Sequence, residues 1–276
     1  MKKLVVVLLV MMALLLGTIG TALAITDGEL DGENHPHVVL LIMDVGGEPT
    51  WRCSATLLSP TVVLTAGHCV SNYPDSPATG FRVFTESDVE NGDNSYPYAG
   101  NNSVEAVSWA AHPLYETAPF FVHDVGVVIL QEPINLDEYG ALPEVDQLDA
   151  LKTRRGKHKT TFTAVGYGLQ ESFPTPAAFL EDNVRVRMVA NPSLIQINTP
   201  GFTGDYSLLL SNNHSTGGTC FGDSGGPNFL GDSTTVAGVT SFGLNGNCAG
   251  TGGVFRMDRQ DVLDFVCSMA SVEGCP

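Results

Sequence analysis

The chain has 276 residues, with 13 Lys and Arg against 30 Asp and Glu, which gives a formal net charge of −17 at pH 7. So acidic a chain lacks the basic face that nucleic-acid binding requires, which argues against that class of function. The length suits one large domain or two of about 120 residues. The 30 glycines and the low share of charged residues favour short strands joined by turns.

The first 24 residues have the pattern of a signal peptide. Lys2 and Lys3 precede an uncharged apolar run, residues 4–16, and residues 22–24 (Ala-Leu-Ala) offer a cleavage site. A membrane anchor is the alternative, because residues 4–24 carry no charge. The short apolar core and the small residues that follow it favour a cleaved signal peptide over a membrane anchor. We therefore expect a secreted protein with no stable membrane association after cleavage, whose remaining side chains carry 11 − 30 = −19 charges.

The remaining chain consists of short apolar runs separated by turn residues, which predicts an all-β fold of sandwich or barrel type. In the first half the predicted strands are 38–43, 54–58, 61–65, 81–84, 104–111 and 124–130. Residues 131–158 look like a connection that contains a domain boundary. In the second half the predicted strands are 160–165, 183–190, 207–210, 234–240 and 253–257. Only the apolar spacing after residue 258 is helical, and Asp258 is predicted to cap that helix.

Six cysteines follow residue 24, and an even count in an exported chain is typical of disulfides. The sequence alone leaves their pairing open. No Cys-x-x-Cys pair occurs, which argues against a structural zinc site. Residues 85–94 are rich in Asp, Asn and Glu and could bind calcium, but without EF-hand spacing a solvated loop is favoured. We expect neither a cofactor nor a metal.

Ser224 lies in residues 222–227 (Gly-Asp-Ser-Gly-Gly-Pro), where neighbours without side chains leave its oxygen accessible. Such a turn also leaves backbone N–H groups available to stabilise negative charge. An ordinary glycine-rich turn is the alternative. The residues also fit the G-x-S-x-G elbow of α/β-hydrolases, but that fold requires a histidine after the serine. No histidine follows Ser224, so the elbow is excluded.

A nucleophilic serine needs a base, and the base needs an acid that orients it. Of the seven histidines, His68 has the most distinctive setting, because it follows an apolar strand, lies among small residues and precedes Cys69. Asp124 begins the apolar run 124–130, so its carboxylate is expected to be partly buried and partnered. A structural histidine and an ordinary acid at a strand end are the alternatives.

Three segments together resemble the signatures of the chymotrypsin/trypsin-like serine proteases. They are residues 65–69 (Thr-Ala-Gly-His-Cys), 124–127 (Asp-Val-Gly-Val) and 220–227 (Cys-Phe-Gly-Asp-Ser-Gly-Gly-Pro), in the order His, Asp, Ser that this family uses. Further matches at 53–58, 166–168 and 241–243 extend the resemblance over nearly the whole chain after residue 24.

The resemblance implies a chymotrypsin-like fold of two antiparallel Greek-key β-barrels packed against each other, with a C-terminal α-helix. The first barrel would occupy residues 25–140 and carry His68 and Asp124. The second would occupy residues 141–276 and carry Ser224.

The resemblance implies a serine endopeptidase that forms an acyl-enzyme. Ser224 would be the nucleophile, His68 the base and Asp124 the orienting acid, and the N–H groups of Gly222 and Ser224 would form the oxyanion hole. A non-catalytic binding protein on the same fold and an esterase with the same triad are the alternatives. The expected partner is a protein or peptide substrate, and the chain is expected to be a monomer.

The resemblance also implies a substrate site at Gly218, Thr219, Ser241, Phe242, Gly243 and Gly253. Trypsin-like members carry an acid where this chain has Gly218, so we expect an uncharged pocket that takes a bulky apolar or aromatic P1 residue, not Arg or Lys. Glutamate-specific members tend to have a histidine where this chain has Thr240, so acidic P1 residues are not expected either.

The family pattern implies the disulfides Cys53–Cys69 and Cys220–Cys248, which leaves Cys267 and Cys275 to each other. It also implies an activation device. Residues 25–28 (Ile-Thr-Asp-Gly) resemble the mature N-terminus of family members, whose amine pairs with the acid before the catalytic serine. We therefore expect signal cleavage to expose the amine of Ile25, which would pair with Asp223.

Overall fold

The computed structural model describes residues 25–71, 77–115, 119, 121–153, 160–170 and 184–275. The predicted signal peptide, residues 1–24, lies outside them. Among the described residues, no helix combines the length and the apolar character needed to cross a membrane.

Strands dominate the described residues and pair antiparallel throughout. In chain order they are β1 (Glu29–Leu30), β2 (Val38–Val45), β3 (Glu48–Leu57), β4 (Val62–Thr65), β5 (Ala78–Phe84), β6 (Ser103–Ala111), β7 (Gly126–Leu130), β8 (Phe162–Gly166), β9 (Met188–Ala190), β10 (Leu194–Thr199), β11 (Gly204–Asn212), β12 (Pro227–Leu230), β13 (Val236–Gly243) and β14 (Gly250–Arg256).

The first unit is a closed barrel of six strands in the order β2-β3-β4-β7-β6-β5. The position of β2 explains why residues 38–43 are an unbroken apolar run. Alternate side chains of a strand face opposite sides. Val39 and Leu41 therefore join the cluster of buried residues inside this barrel, whereas Val38 and Leu40 join a cluster shared with the second unit. Both faces of β2 are buried over residues 38–43, and all six side chains there are apolar.

The second unit is an eight-stranded sheet in the order β1-β9-β8-β12-β13-β14-β11-β10. In the described residues it is an open sheet rather than a closed barrel. With the first barrel and the C-terminal helix it confirms the predicted chymotrypsin-like class. Strand β1 pairs with β9, so the start of the chain crosses the expected boundary at residue 140 and joins the second unit.

The C-terminal helix, Gln260–Met269, buries its apolar face between the two units, as its spacing predicts. The predicted cap is wrong. The residue before the helix is Arg259, and Asp258 accepts hydrogen bonds from Arg256 Nε at 2.8 Å and from the backbone N–H of Leu148 at 2.8 Å. The guanidinium of Arg256 is fully buried and requires a charged partner, so Asp258 pairs with it and does not cap the helix.

Candidate active site

His68 lies in a single helical turn, Gly67–Val70, directly after β4. The adjacent Cys69 forms a disulfide with Cys53 of β3, which fixes this turn to the barrel. The histidine contacts Asp124 through both its backbone and its ring. Its backbone N–H donates to Asp124 Oδ1 at 2.8 Å, and its Nδ1 lies 2.9 Å from Asp124 Oδ2. Because a carboxylate can only accept, Nδ1 carries the hydrogen and Nε2 is left to accept a proton.

Asp124 is fully buried, as its position before an apolar strand predicts. It precedes β7, which pairs with β4 so that Gly126 lies opposite Thr65. The end of one strand and the start of the next therefore bring His68 and Asp124 together. A third donor, the hydroxyl of Ser241 on β13, also reaches Asp124 Oδ2. These three donors offset the cost of removing the Asp124 carboxylate from water.

The pKa of His68 is raised above its ordinary value. Burial alone would lower this pKa, but the charge of Asp124 and its hydrogen bond to the ring raise it and prevail. The site therefore favours the imidazolium form, which is the charge state a general base acquires when it takes a proton.

The turn at Ser224 is fixed by both units. The serine carbonyl accepts from the N–H of Ser54 on β3 at 2.8 Å, and the N–H of Gly225 donates to Thr240 O at 2.8 Å. Gly225 has φ +78°, and an added Cβ would lie 2.0 Å from Thr65 Oγ1. Only glycine fits there, because both the backbone conformation and the space exclude a side chain.

The N–H groups of Gly222 and Ser224 have no hydrogen-bond acceptor within the described part of the chain. The carbonyl of Gly222 accepts from the Ser54 hydroxyl at 3.0 Å, which fixes the orientation of the peptide that follows Gly222. Two unused N–H groups beside a nucleophile can bind a developing oxyanion. The interpretation of these two residues as an oxyanion hole remains a prediction.

A cleft of about 500 Å³ joins His68 and Ser224. Among its described lining residues, His68 is the only one with a titratable side chain, and the others include Thr219, Ser241, Phe242 and Gly243. Those four predicted substrate-site residues therefore lie in one cleft. Its exposed rim includes Phe221 and Leu244, which we had not predicted.

Two of the predicted substrate-site residues, Gly253 and Gly218, are absent from the described lining of the cleft. Gly253 lies against the ring of Phe242, where an added Cβ would fall 2.4 Å from ring atoms. Gly218 lies against Asn212. The glycine that faces Thr219 is Gly252, where an added Cβ would lie 3.1 Å from the Thr219 hydroxyl. Gly252 pairs with Gly243 across the sheet.

Ile25 and Asp223, the predicted activation pair, are both fully buried. Burial raises the pKa of Asp223 to about 7, although the N–H groups of Cys220 and Gly168, at 2.9 and 2.8 Å, and the charge of Arg52 lower it. Burial is therefore the largest influence on this carboxyl and favours its neutral form. Their pairing remains a prediction.

All three expected disulfides are present: Cys53–Cys69, Cys220–Cys248 and Cys267–Cys275. Two further residues, Ser54 and Thr65, support the turn of Ser224 and were not predicted to do so. The hydroxyl of Thr65 donates to Ser54 O at 3.0 Å, and the hydroxyl of Ser54 supports the turn of Ser224. Both are buried polar residues inside segments that carry the family resemblance, 65–69 and 53–58, and this is the signal that could have identified them.

The trypsin family model matches residues 29–264. The chain is 27% identical over 225 residues to the venom serine protease Bi-VSP of Bombus ignitus, with 79% of this chain and 59% of that protein covered. It is 25% identical over 223 residues to a chymotrypsin of Phaedon cochleariae, with 80% and 72% covered. A solved collagenase structure (HL collagenase) superposes with a TM-score of 0.68 at 19% identity, over 88% of this chain and 97% of that one, and shares the fold. The chain therefore belongs to the trypsin family of serine endopeptidases.

Proposed function

We propose that this protein is a secreted serine endopeptidase that cleaves peptide bonds through His68, Asp124 and Ser224. The observation that carries the proposal is the contact between the buried Asp124 and the His68 ring, at one end of a cleft that also contains Ser224. Family membership supports the same reaction class.

The chemistry follows from these positions. Ser224 Oγ attacks the substrate carbonyl carbon while His68 Nε2 takes the hydroxyl proton, and the carbonyl oxygen becomes an oxyanion near the N–H groups of Gly222 and Ser224. His68 then gives that proton to the leaving amine, which departs and leaves an acyl-serine. Water attacks the acyl group with His68 as base again, and Ser224 regains its proton as the acid product leaves. Asp124 keeps its charge throughout and stabilises the imidazolium.

The substrate preference is proposed to be an uncharged P1 residue. Among the described lining residues of the cleft, none carries a carboxylate that could pair with a P1 Arg or Lys. The small Gly252 lies beside Thr219, and it pairs across the sheet with Gly243, which lines the cleft. The chain of β13 after Ser241 is proposed to pair with the substrate backbone as an added strand.

The proposed activation step joins the amine of Ile25 to Asp223. It is supported by the burial of both residues and by the neighbouring Thr26, whose carbonyl accepts from the N–H of Gly218 at 3.1 Å. Processing before Ile25 would supply that amine. N-terminal sequencing of active protein tests this step, and active protein that starts at any other residue would contradict it.

The function is tested with protein that starts at Ile25 and a peptide library that varies at P1. We expect cleavage after uncharged apolar residues, its loss in Ser224→Ala, and its retention in Ser233→Ala, which changes an exposed serine on a turn. No peptide cleavage with intact ester cleavage would favour an esterase. If neither peptides nor esters are cleaved, a non-catalytic binding protein is favoured. A library profile dominated by Arg or Lys would contradict the proposed pocket.

A further inference from the structure

His123 directly precedes the buried Asp124 and has an unusual backbone conformation. Its φ is +53°, in the left-handed region that residues with a side chain rarely adopt. The carbonyl of His123 accepts from the N–H of Val125 at 2.8 Å, so these two residues close a tight turn around Asp124. Such a conformation persists where the surroundings fix it. The position of Asp124 therefore depends on how His123 is held.

The side chain of His123 is held by groups of the second unit. Its Nε2 lies 3.3 Å from Asp261 Oδ2, and the centre of its ring lies 5.0 Å from that of Tyr206. The Tyr206 hydroxyl donates to the same carboxylate oxygen at 3.1 Å. Tyr206 belongs to β11, and Asp261 lies in the first turn of the C-terminal helix. The loop before Asp124 is therefore tied to the second unit.

The ring of His123 also stacks on that of His112, with 4.9 Å between the ring centres and 13° between the planes. His112 is itself fixed. Its Nδ1 accepts from the N–H of Leu114 at 3.1 Å, and its ring packs edge-on against Phe265 of the helix at 5.1 Å. The backbone N–H of His112 donates to the carbonyl of Val125 at 2.9 Å, so the residue after Asp124 is held as well.

The cluster combines two histidines with the carboxylate of Asp261. Burial lowers the pKa of His112, the charge of His123 lowers it further, and Asp261 opposes both. A neutral His112 stacks on His123 without repulsion between two positive charges. The pKa of Tyr206 is raised, first by burial and then by Asp261, so its hydroxyl keeps the proton that it donates. Two further charged residues act on Tyr206, namely Asp205 and Arg259.

We infer that His123 is a positioning residue that holds Asp124 against His68. It does so by joining the loop before Asp124 to the C-terminal helix through Asp261. The inference rests on the proposed function. Neither His123 nor Asp261 is among the described residues that line the cleft, so we expect them to affect catalysis through Asp124 and not through contact with the substrate.

The test compares protein that starts at Ile25 with its His123→Asn variant, because asparagine tolerates the left-handed conformation but lacks the ring. The first readout is the pKa of the His68 ring, followed by NMR and identified by its absence in His68→Ala. Asp124 raises this pKa, so we expect it to fall by about half a unit or more in the variant. The second readout is peptide cleavage, in which we expect kcat to fall at least about fivefold, with KM within about twofold of the wild type.

Asp261→Ala removes the other partner and keeps His123. We expect the same fall in the pKa of His68 and in kcat, and a double variant that loses no more than about twofold beyond either single one. A shift shared by both variants cannot come from titration of His123 itself. The matched control is Asp264→Ala, which removes an exposed acid from the same helix and is expected to leave both readouts unchanged.

An unchanged pKa of His68 in folded His123→Asn, or in Asp261→Ala where the former does not fold, overturns the inference. Losses that add in the double variant also overturn it, because the two residues would then act separately. An equal effect in Asp264→Ala does the same. The pKa of His68 can be measured in protein that cleaves nothing, so wild-type protein without peptide cleavage contradicts the proposed function alone.

Discussion

The two halves of the candidate site are built in different ways. His68 and Asp124 lie where paired strands of one closed barrel end and begin, and the backbone N–H of His68 itself binds the carboxylate. Ser224 lies on a turn between strands, held by contacts from Ser54 and Thr240 and placed beside the buried Asp223. The first half needs only strand pairing to form. The second half includes the carboxyl of Asp223, whose pKa burial raises to about 7, and we propose that activation acts on this half.

The largest expected loss of activity comes from changing Asp124, in the half of the site that lies at strand ends (the strand-built half). Asp124→Asn can present an amide N–H to His68 and so favour the wrong tautomer. We expect kcat to fall about 10⁴-fold, as loss of this charge does in serine proteases of this type. Steady-state kinetics measure the loss, with circular dichroism to confirm the fold. The control Asp137→Asn changes an exposed acid and is expected to leave kcat unchanged. A loss below tenfold in Asp124→Asn would contradict the assignment.

The next-largest effect concerns the half of the site on the turn at Ser224 (the turn-built half). Asp223→Asn is expected to change stability in opposite directions in two forms of the protein. In protein that starts at Ile25, Asp223→Asn leaves the buried amine unpaired. We expect it to reduce the free energy of unfolding by about 3–5 kcal/mol and to abolish most activity. In protein with two extra residues before Ile25 the amine is displaced, and Asp223→Asn is expected to stabilise at pH 8, because ionised Asp223 is then buried without its partner.

The pH dependence of the extended form sharpens this prediction. Burial raises the pKa of Asp223 to about 7 from 3.8, so between these values the native state holds a proton that the unfolded chain has lost. Its stability is therefore expected to fall as pH rises from about 4 to about 7, by about 4 kcal/mol from this residue. Urea unfolding at several pH values measures it. Equal stability changes for Asp223→Asn in both forms would show that Ile25 and Asp223 do not pair.

A smaller effect is expected at the contact that joins the two halves. Ser241 of β13 donates its hydroxyl to Asp124. Ser241→Ala removes a donor to a buried charge, and we expect kcat to fall about tenfold, which corresponds to about 1.4 kcal/mol. The less neutralised carboxylate should also raise the pKa of His68 further, so the acid limb of kcat/KM should move to higher pH. Ser241→Thr keeps a hydroxyl and is expected to restore both. A loss that Ser241→Thr does not restore would assign the effect to packing.

Local patterns sufficed for the strand-built half. The runs that predict β2, β4 and β7 are apolar because these strands are buried in the barrel. His68 and Asp124 lie at the ends of β4 and β7, which strand pairing brings together. Strands β1, β10 and β12 were missed. The first has two residues, the second is polar at several positions, and the third begins with Pro227 directly after the glycine turn.

The pocket was less predictable, because it depends on pairing that sequence spacing does not reveal. The register between β13 and β14 shifts between Thr240 and Phe242. This shift pairs Phe242 with Gly253 and Gly243 with Gly252, so that Gly253 lies against the Phe242 ring and Gly252 beside Thr219.

The central claim is that Ser224 reacts because His68, held by Asp124, takes its proton. The rate at which a fluorophosphonate labels Ser224, followed by mass spectrometry across pH 5–9, tests it directly. The account predicts labelling on Ser224 alone, with a rate that rises with pH through a pKa above the ordinary value of 6.5 for histidine, because Asp124 raises it. It also predicts loss of labelling in His68→Ala. Labelling that is absent in wild-type protein, or equally fast in His68→Ala, would contradict it.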